Sequence, residues 1–407
     1  MTDEMPVSPL AGIKLDGMAD VFKTNAASLS VVPDYSSCYL DMRSTWHQLV
    51  VIGNGFDLAC DLNSSFSSFF VPRFEKMRDI EAADMPDGGN VVSRLREAGL
   101  TVWDIILFDR SGDDWCDVEG AIAKWMRPSN PARFIDLLDS IFELVFSGKK
   151  WQRSLLRRDS VERHVVRYII EGGFGLEGDY SRDKLNVLLL EELHRLENAF
   201  DVYLRKQVEM TPRYPECARE LLRDIIMRDM PNEEDYQTEL SVLSFNYTGP
   251  KEMQLCDVDD TVSYVNIHGR LDEGIIIGID GKGLMTNANV LPFTKTYRLM
   301  AKGGPRYNEV LPGDVSLIKF FGHSLSSADY SYFQAIFDAV DLYGGDTCLA
   351  FYYRRYANKS DLEVRTDMMK RVTDLLSIYG ETLDNIDHGN NLIHKLLLEG
   401  RLSIESI

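Results

Sequence analysis

Residues 47–59 read His-Gln-Leu-Val-Val-Ile-Gly-Asn-Gly-Phe-Asp-Leu-Ala, and this stretch limits the fold more than any other. Leu49 to Ile52 is a continuous run of apolar, mostly β-branched residues, which favours extended backbone. A strand so short and apolar on both faces suits the centre of a parallel sheet. Gly53 and Gly55 allow a sharp turn and a close backbone approach to a ligand. Phe56 onward predicts a helix. Strand, glycine turn and helix together aim free N–H groups at a polar or anionic ligand. The stretch reads as the nucleotide-binding edge of an α/β, Rossmann-like, mostly parallel sheet. Gly53, Asn54, Gly55, Phe56 and Asp57 are therefore candidate ligand contacts. The full dinucleotide pattern would place glycine at 58, where this chain has Leu58. Asp57 has two readings: an acid that stabilises the first helical turn, or one that faces a ribose hydroxyl or an amide.

The length, 407 residues, fits one large domain or two ordinary ones. No apolar run approaches the length of a membrane span, and the N-terminal residues lack the pattern of a secretory signal. The six cysteines are scattered with no C-x-x-C pair, which favours reduced thiols in a cytoplasm and disfavours a structural zinc site. The net charge of −20 repels nucleic acid in general. The one basic stretch, Lys149 to Arg167, has few interleaved aromatics and reads as a solvated helix face.

Along the chain, residues 1–45 predict an N-terminal extension and residues 46–130 the first part of the sheet domain. Phe56 to Phe70 predicts helix with a break at Asn63 to Ser65, and residues 84–89 a surface loop. Trp115, Val118, Ile122, Trp125 and Met126 form a helical stripe. Asp117 and Glu119 lie off it, either as solvated acids or as a pocket wall with an acid facing inward. Residues 131–235 predict a large helical insertion, with apolar helices around 134–145 and 187–204. The glycines at 172–178 read as its flexible connection.

The sheet resumes over 236–357, with strands predicted at 240–245, 262–267, 275–279, 315–321 and, as the last, 347–353. A helix starting near Ser326 has capping-box spacing with Asp329. Residues 358–407 predict a helical tail. Four of the strands end in unusual polar residues: Asn54 with Asp57, Asn246, His268, and His323 with Ser324. In a parallel sheet such ends meet at one edge, where ligands bind. Taken singly, each has a plainer reading, as a packed histidine or a turn-forming asparagine. Gly269 and Gly322 have one too, as turn glycines.

Several stretches together resemble the AbiH family of bacterial abortive-infection proteins: residues 51–59, 115–120, 244–248, 266–269, and 321–326 with Asp329. They run in order across residues 47 to 355. The chain departs from that pattern at Cys60 and Asp61, where the family leads one to expect histidine and glycine. A second resemblance is to sirtuin-like domains of bacterial defence proteins, through Gly53-Asn54-Gly55, Asn246-Tyr247, His268-Gly269 and Gly322-His323-Ser324-Leu325-Ser326. It implies cleavage of the nicotinamide–ribose bond of NAD or a related nucleotide. Asn246 would hold the ribose or position water, and His268 would act as general base. Gly53 to Gly55 would cradle phosphate or ribose, and Ser324 and Asp329 would bind the second ribose. No metal is needed for that chemistry. The implied protein is a cytoplasmic antiphage effector with a nucleotide ligand, a phage-derived trigger and assembly into a homo-oligomer, without membrane or nucleic acid. The alternatives are a nucleotide sensor without turnover and a nucleic-acid-acting toxin.

Overall fold

A computed structural model describes residues 44–82, 91–108, 118–126, 165, 168–169, 182–230, 236–255, 262–282, 288–302, 310–356 and 359–407. The extension before 44, the loop at 84–89, Trp115 to Asp117, the helix at 134–145, the basic stretch at 149–167 apart from Val165, and the glycines at 172–178 lie outside them.

The chain runs through β1 (Ser44–Ile52), α1 (Gly55–Ala59), α2 (Phe66–Ala82), α3 (Val91–Glu97), α4 (Val102–Phe108) and α5 (Val118–Met126). The long α6 (Arg182–Met210) and α7 (Tyr214–Met227) lead to β2 (Tyr236–Ser244) and β3 (Val262–Asn266). A two-residue hairpin, β4 (Gly269–Arg270) with β5 (Gly274–Ile275), precedes α8 (Lys295–Ala301). Then come β6 (Val315–Phe321), α9 (Tyr330–Ala339), β7 (Cys348–Tyr353), α10 (Asp361–Gly380), α11 (Ile386–Leu398) and β8 (Leu402–Ser406).

The main sheet has six strands in the order β3-β2-β1-β6-β7-β8. The pairs β1/β6, β2/β3, β6/β7 and β7/β8 are parallel. With the β4/β5 hairpin set aside, this is the strand order of dinucleotide-binding sheets, reversing direction between β1 and β6. The α/β class and the parallel sheet predicted from the sequence are present.

Alternation along β1 divides its side chains between two cores. Leu49 and Val51 join Phe245, Phe320, Phe351 and the inner faces of α9, α10 and α11. Val50 and Ile52 join Phe56 of α1, Phe321, Tyr352 and the apolar face of α7. A third core is helical: α2 to α5 pack with α6 and with residues of the 271–293 segment.

Three local expectations need correction. The run at 275–279 is not a sheet strand beyond Ile275. Its isoleucines are buried, Ile275, Ile277 and Ile279 in the helical core, and Ile277 finds side-chain partners instead. Its N–H donates to Glu197 Oε1 at 2.7 Å, and its carbonyl accepts from Arg298 at 2.8 Å. Ser326 makes no side-chain capping bond. The true capping box is Ser360 with Glu363 at the start of α10. The last strand is β8, not 347–353. Leu402 and Ile404 pack on the sheet's core while Glu405 and Ser406 are exposed, so the apolar signal there is only two residues long.

Candidate functional site

Four adjacent strands, β3, β2, β1 and β6, bring their carboxyl ends to one edge. The loops leaving β1 and β6 lock together there. Gly53 N–H donates to Phe321 O at 3.0 Å, Gly55 N–H to Gly322 O at 2.7 Å, and Phe56 N–H to Gly53 O at 2.8 Å. A Cβ on Gly53 would lie 2.6 Å from His323 Cα, and one on Gly55 2.7 Å from Gly322 Cα. Gly322 itself has φ +70°, and its Cβ would meet Phe56 N at 2.3 Å. These glycines let two backbones interlock, and the N–H groups of Gly53, Gly55 and Phe56 are already spent. The phosphate cradle expected at Gly53 to Gly55 therefore lacks these donors. Phe56 is a core residue, fully buried and edge-on to Phe321 at 6.3 Å. Gly269, φ +76°, serves the β4/β5 hairpin, where a Cβ would lie 2.3 Å from Gly274 O.

The remaining predicted residues divide into two groups. On the α7 side, Asp57 is buried and accepts from Tyr214 Oη at 2.8 Å and from Thr248 Oγ1 at 3.0 and 2.8 Å. Burial pushes its carboxyl up to about 6, against the pull of the Tyr214 and Thr248 hydrogen bonds. Asp57 stands in the first turn of α1, with its carboxyl held by Tyr214 and Thr248 rather than open to solvent. Asn266 Nδ2 clamps the loop after β2, donating to Asn246 O at 2.9 Å and Thr248 O at 2.7 Å. Both amide atoms of the buried Asn246 side chain have no hydrogen-bond partner.

On the α9 side lies a compact ionic cluster. His268, two residues beyond β3, puts Nε2 3.3 Å from Asp329 Oδ1. His323, two residues beyond β6, puts Nε2 3.4 Å from Asp329 Oδ2. Lys295, the first residue of α8, sends Nζ to Asp329 Oδ1 at 2.6 Å and to Glu119 Oε1 of α5 at 2.7 Å. Phe245 stands edge-on between the two imidazoles, 5.3 Å from His268 and 4.5 Å from His323. Tyr332 closes on His268 at 5.9 Å.

Each charge is set by its neighbours. Burial, with Lys295 next, pushes the His268 imidazole down to about 4, so it is neutral near pH 7. Burial disfavours the charged form of Asp329, but Lys295 and the two imidazoles hold its carboxyl well below the usual range. Burial likewise works against the Lys295 ammonium, and Asp329 and Glu119 outweigh it. The Glu119 side chain is 17% exposed and that of Lys295 2%, so Glu119 is the outer member. Glu119 is thus the inward-facing acid of the two readings, with its carboxylate on a buried cation.

The structure brings His268, His323 and Asp329 together, and it leaves Asn54 and Ser324 exposed at the rim. Asn54 Oδ1 accepts from Ser64 Oγ at 2.5 Å. Among the described residues no hydrogen bond joins the side chains of Asn246 and His268. Asp329 is buried in the ion cluster rather than displayed to a second ribose. Sequence reasoning missed Lys295, Tyr214 and Thr248. Lys295 did carry a signal: a lysine at the first position of a helix opposes the helix dipole, so it needs another reason to be there. Among the described residues no group of three or more His, Cys, Asp or Glu side chains is arranged to hold a metal ion.

A family model described as bacteriophage abortive infection AbiH matches residues 49–344, which contain the whole of this edge. No curated protein and no solved structure matches the chain.

Proposed function

The chain belongs to the bacteriophage abortive infection AbiH family, and from that premise we propose that its strand-end site binds a nucleotide, NAD foremost, and cleaves the N-glycosidic bond. Membership carries the phage-defence, abortive-infection role. The finer chemistry is our reading, and one observation carries it. His268 is a buried, neutral imidazole at the end of β3, with one ring nitrogen against a charged carboxylate. Such an imidazole is unprotonated near pH 7 and so can accept a proton from a ribose hydroxyl or a water molecule, with Asp329 placed to balance the charge it would gain.

In the reaction, water adds through its oxygen to the ribose C1′. The bond from C1′ to nicotinamide breaks, nicotinamide leaves with the bonding pair, and one proton is released. The leaving group is a cationic ring, so the site has only to favour growing positive charge on the ribose. Two carboxylates, Glu119 and Asp329, stand against the single ammonium of Lys295, which suits that charge. With the N–H groups of Gly53, Gly55 and Phe56 committed elsewhere, the ribose end of the nucleotide fits this site better than its phosphates.

A sensor without turnover is the second reading. It is favoured by the internal balance of the cluster, in which Lys295 already answers both carboxylates. Nicotinamide release from NAD, followed by chromatography, separates the two. We expect release by the wild type and a loss of about 10²-fold or more in His268→Ala, with nucleotide binding retained. If neither protein releases nicotinamide, even with phage lysate as trigger, the cleavage reading fails and a nucleotide binding panel tests the sensor.

A further inference from the structure

The ionic cluster holds more than a general base needs. Asp329 offers a different oxygen to each imidazole, Oδ1 to His268 and Oδ2 to His323. Lys295 grips Oδ1 at 2.6 Å and is itself tied to Glu119. For His323 the proton can be located by chemistry. Leu325 N–H donates to His323 Nδ1 at 2.9 Å, so Nδ1 carries a lone pair and, in the neutral ring, Nε2 carries the proton. Asp329 Oδ2 lies 3.4 Å from that nitrogen.

His268 obeys the same logic. Its Nε2 is sealed from solvent and has no hydrogen-bond partner, with the Asp329 carboxylate 3.3 Å away. A bare ring nitrogen there would set its lone pair against a carboxylate. A protonated one turns that repulsion into attraction. We infer that Asp329, anchored by Lys295, is a positioning residue that fixes His268 as the Nε2–H tautomer and leaves Nδ1 as the nitrogen that accepts a proton from the ligand.

Lys295 then has two effects. It keeps Asp329 ionised and in place, and it discourages His268 from becoming imidazolium, which could accept no proton. The exchange at Nδ1 is simple: the ligand's O–H bond breaks, an N–H bond forms, and His268 becomes an imidazolium paired with Asp329. This role for Nδ1 rests on the proposed cleavage, whereas the tautomer does not.

The test uses the full chain labelled with ¹⁵N-histidine and long-range ¹H–¹⁵N correlation at about pH 7.5. The chain has seven histidines, and the His268 signals are those lost in His268→Gln. We expect the Nε2–H pattern for His268 in the wild type. In Asp329→Asn we expect it to shift to a mixture or to Nδ1–H, with kcat for nicotinamide release falling about 10²-fold or more and KM nearly unchanged. An Nδ1–H pattern in the wild type overturns the inference, whatever the variants do. So does an unchanged tautomer in folded Asp329→Asn. The expected tautomers without any release of nicotinamide support the positioning role and reject the cleavage reading.

Discussion

Asp57 shows how a residue chosen for one purpose can be held for another. Its place in the first turn of α1 suggested a dipole or ligand role, yet its carboxylate is sealed between Tyr214 and Thr248. An acid whose folded pKa is raised holds its proton more tightly folded than unfolded. Its contribution to stability therefore improves as pH falls through about 6 and worsens as pH rises. His268, lowered to about 4, acts in the opposite sense over an overlapping range, so the informative quantity is a difference between proteins. Urea unfolding should show the wild type gaining about 1 kcal/mol on Asp57→Asn between pH 7 and pH 5. A pH-independent difference would mean that Asp57 is not the buried acid described. At this scale the sequence disclosed where polar residues stand along the strands but not where they face. Asn246, Asp57, His268 and His323 all follow strand ends, and period-two patterns end with the strands. Which side of the sheet each loop turns to depends on α7 and α9, which lie far away in the chain.

Elements were legible in proportion to their burial. β6 occupies residues 315–321 as read, because six of its seven positions are buried. β8 and the 275–279 run erred in opposite directions: one forms a strand on a two-residue apolar signal, the other has a long signal with almost no strand. Lys319 would have been a poor guess for a central strand, since it lies in β6 and is completely buried. It lies on the α7 side and ends that helix. Its Nζ donates to the carbonyls of Ile225 at 3.0 Å and Ile226 at 2.7 Å, and also to that of Arg228. An ammonium suits the C-terminal end of a helix, where carbonyls lack partners. Lys319→Met keeps the apolar stem and removes the donor. It should lower unfolding stability by about 2–4 kcal/mol, because buried carbonyls lose their partners. Thermal or urea unfolding that matches the wild type would show that water replaces the ammonium without loss.

At the scale of the whole molecule, the order reversal between β1 and β6 is where a dinucleotide-binding sheet normally opens a crevice. Here the glycine turns after β1 and β6 interlock at that point, and His268, His323, Lys295 and Asp329 cluster beyond the ends of β3 and β6. The class of sheet was readable from strand–turn–helix patterns. The interlocking of the two turns was not, since it rests on backbone contacts between Gly53, Gly55 and Gly322 that only the paired loops reveal. The far edge has its own dependence. β8 pairs with Leu349 to Tyr353 of β7, a run buried along nearly all its length. Deleting residues 402–407 should expose that edge and drive the protein from the soluble fraction or into larger species on size exclusion. A soluble protein of unchanged size would show that α10 and α11 alone protect β7. This pairing gives the order of synthesis a meaning. A ribosome makes β7 well before β8, with both helices in between, so every nascent chain passes through an interval with an unsealed apolar strand. A slower passage over the codons of α10 and α11 would prolong that interval.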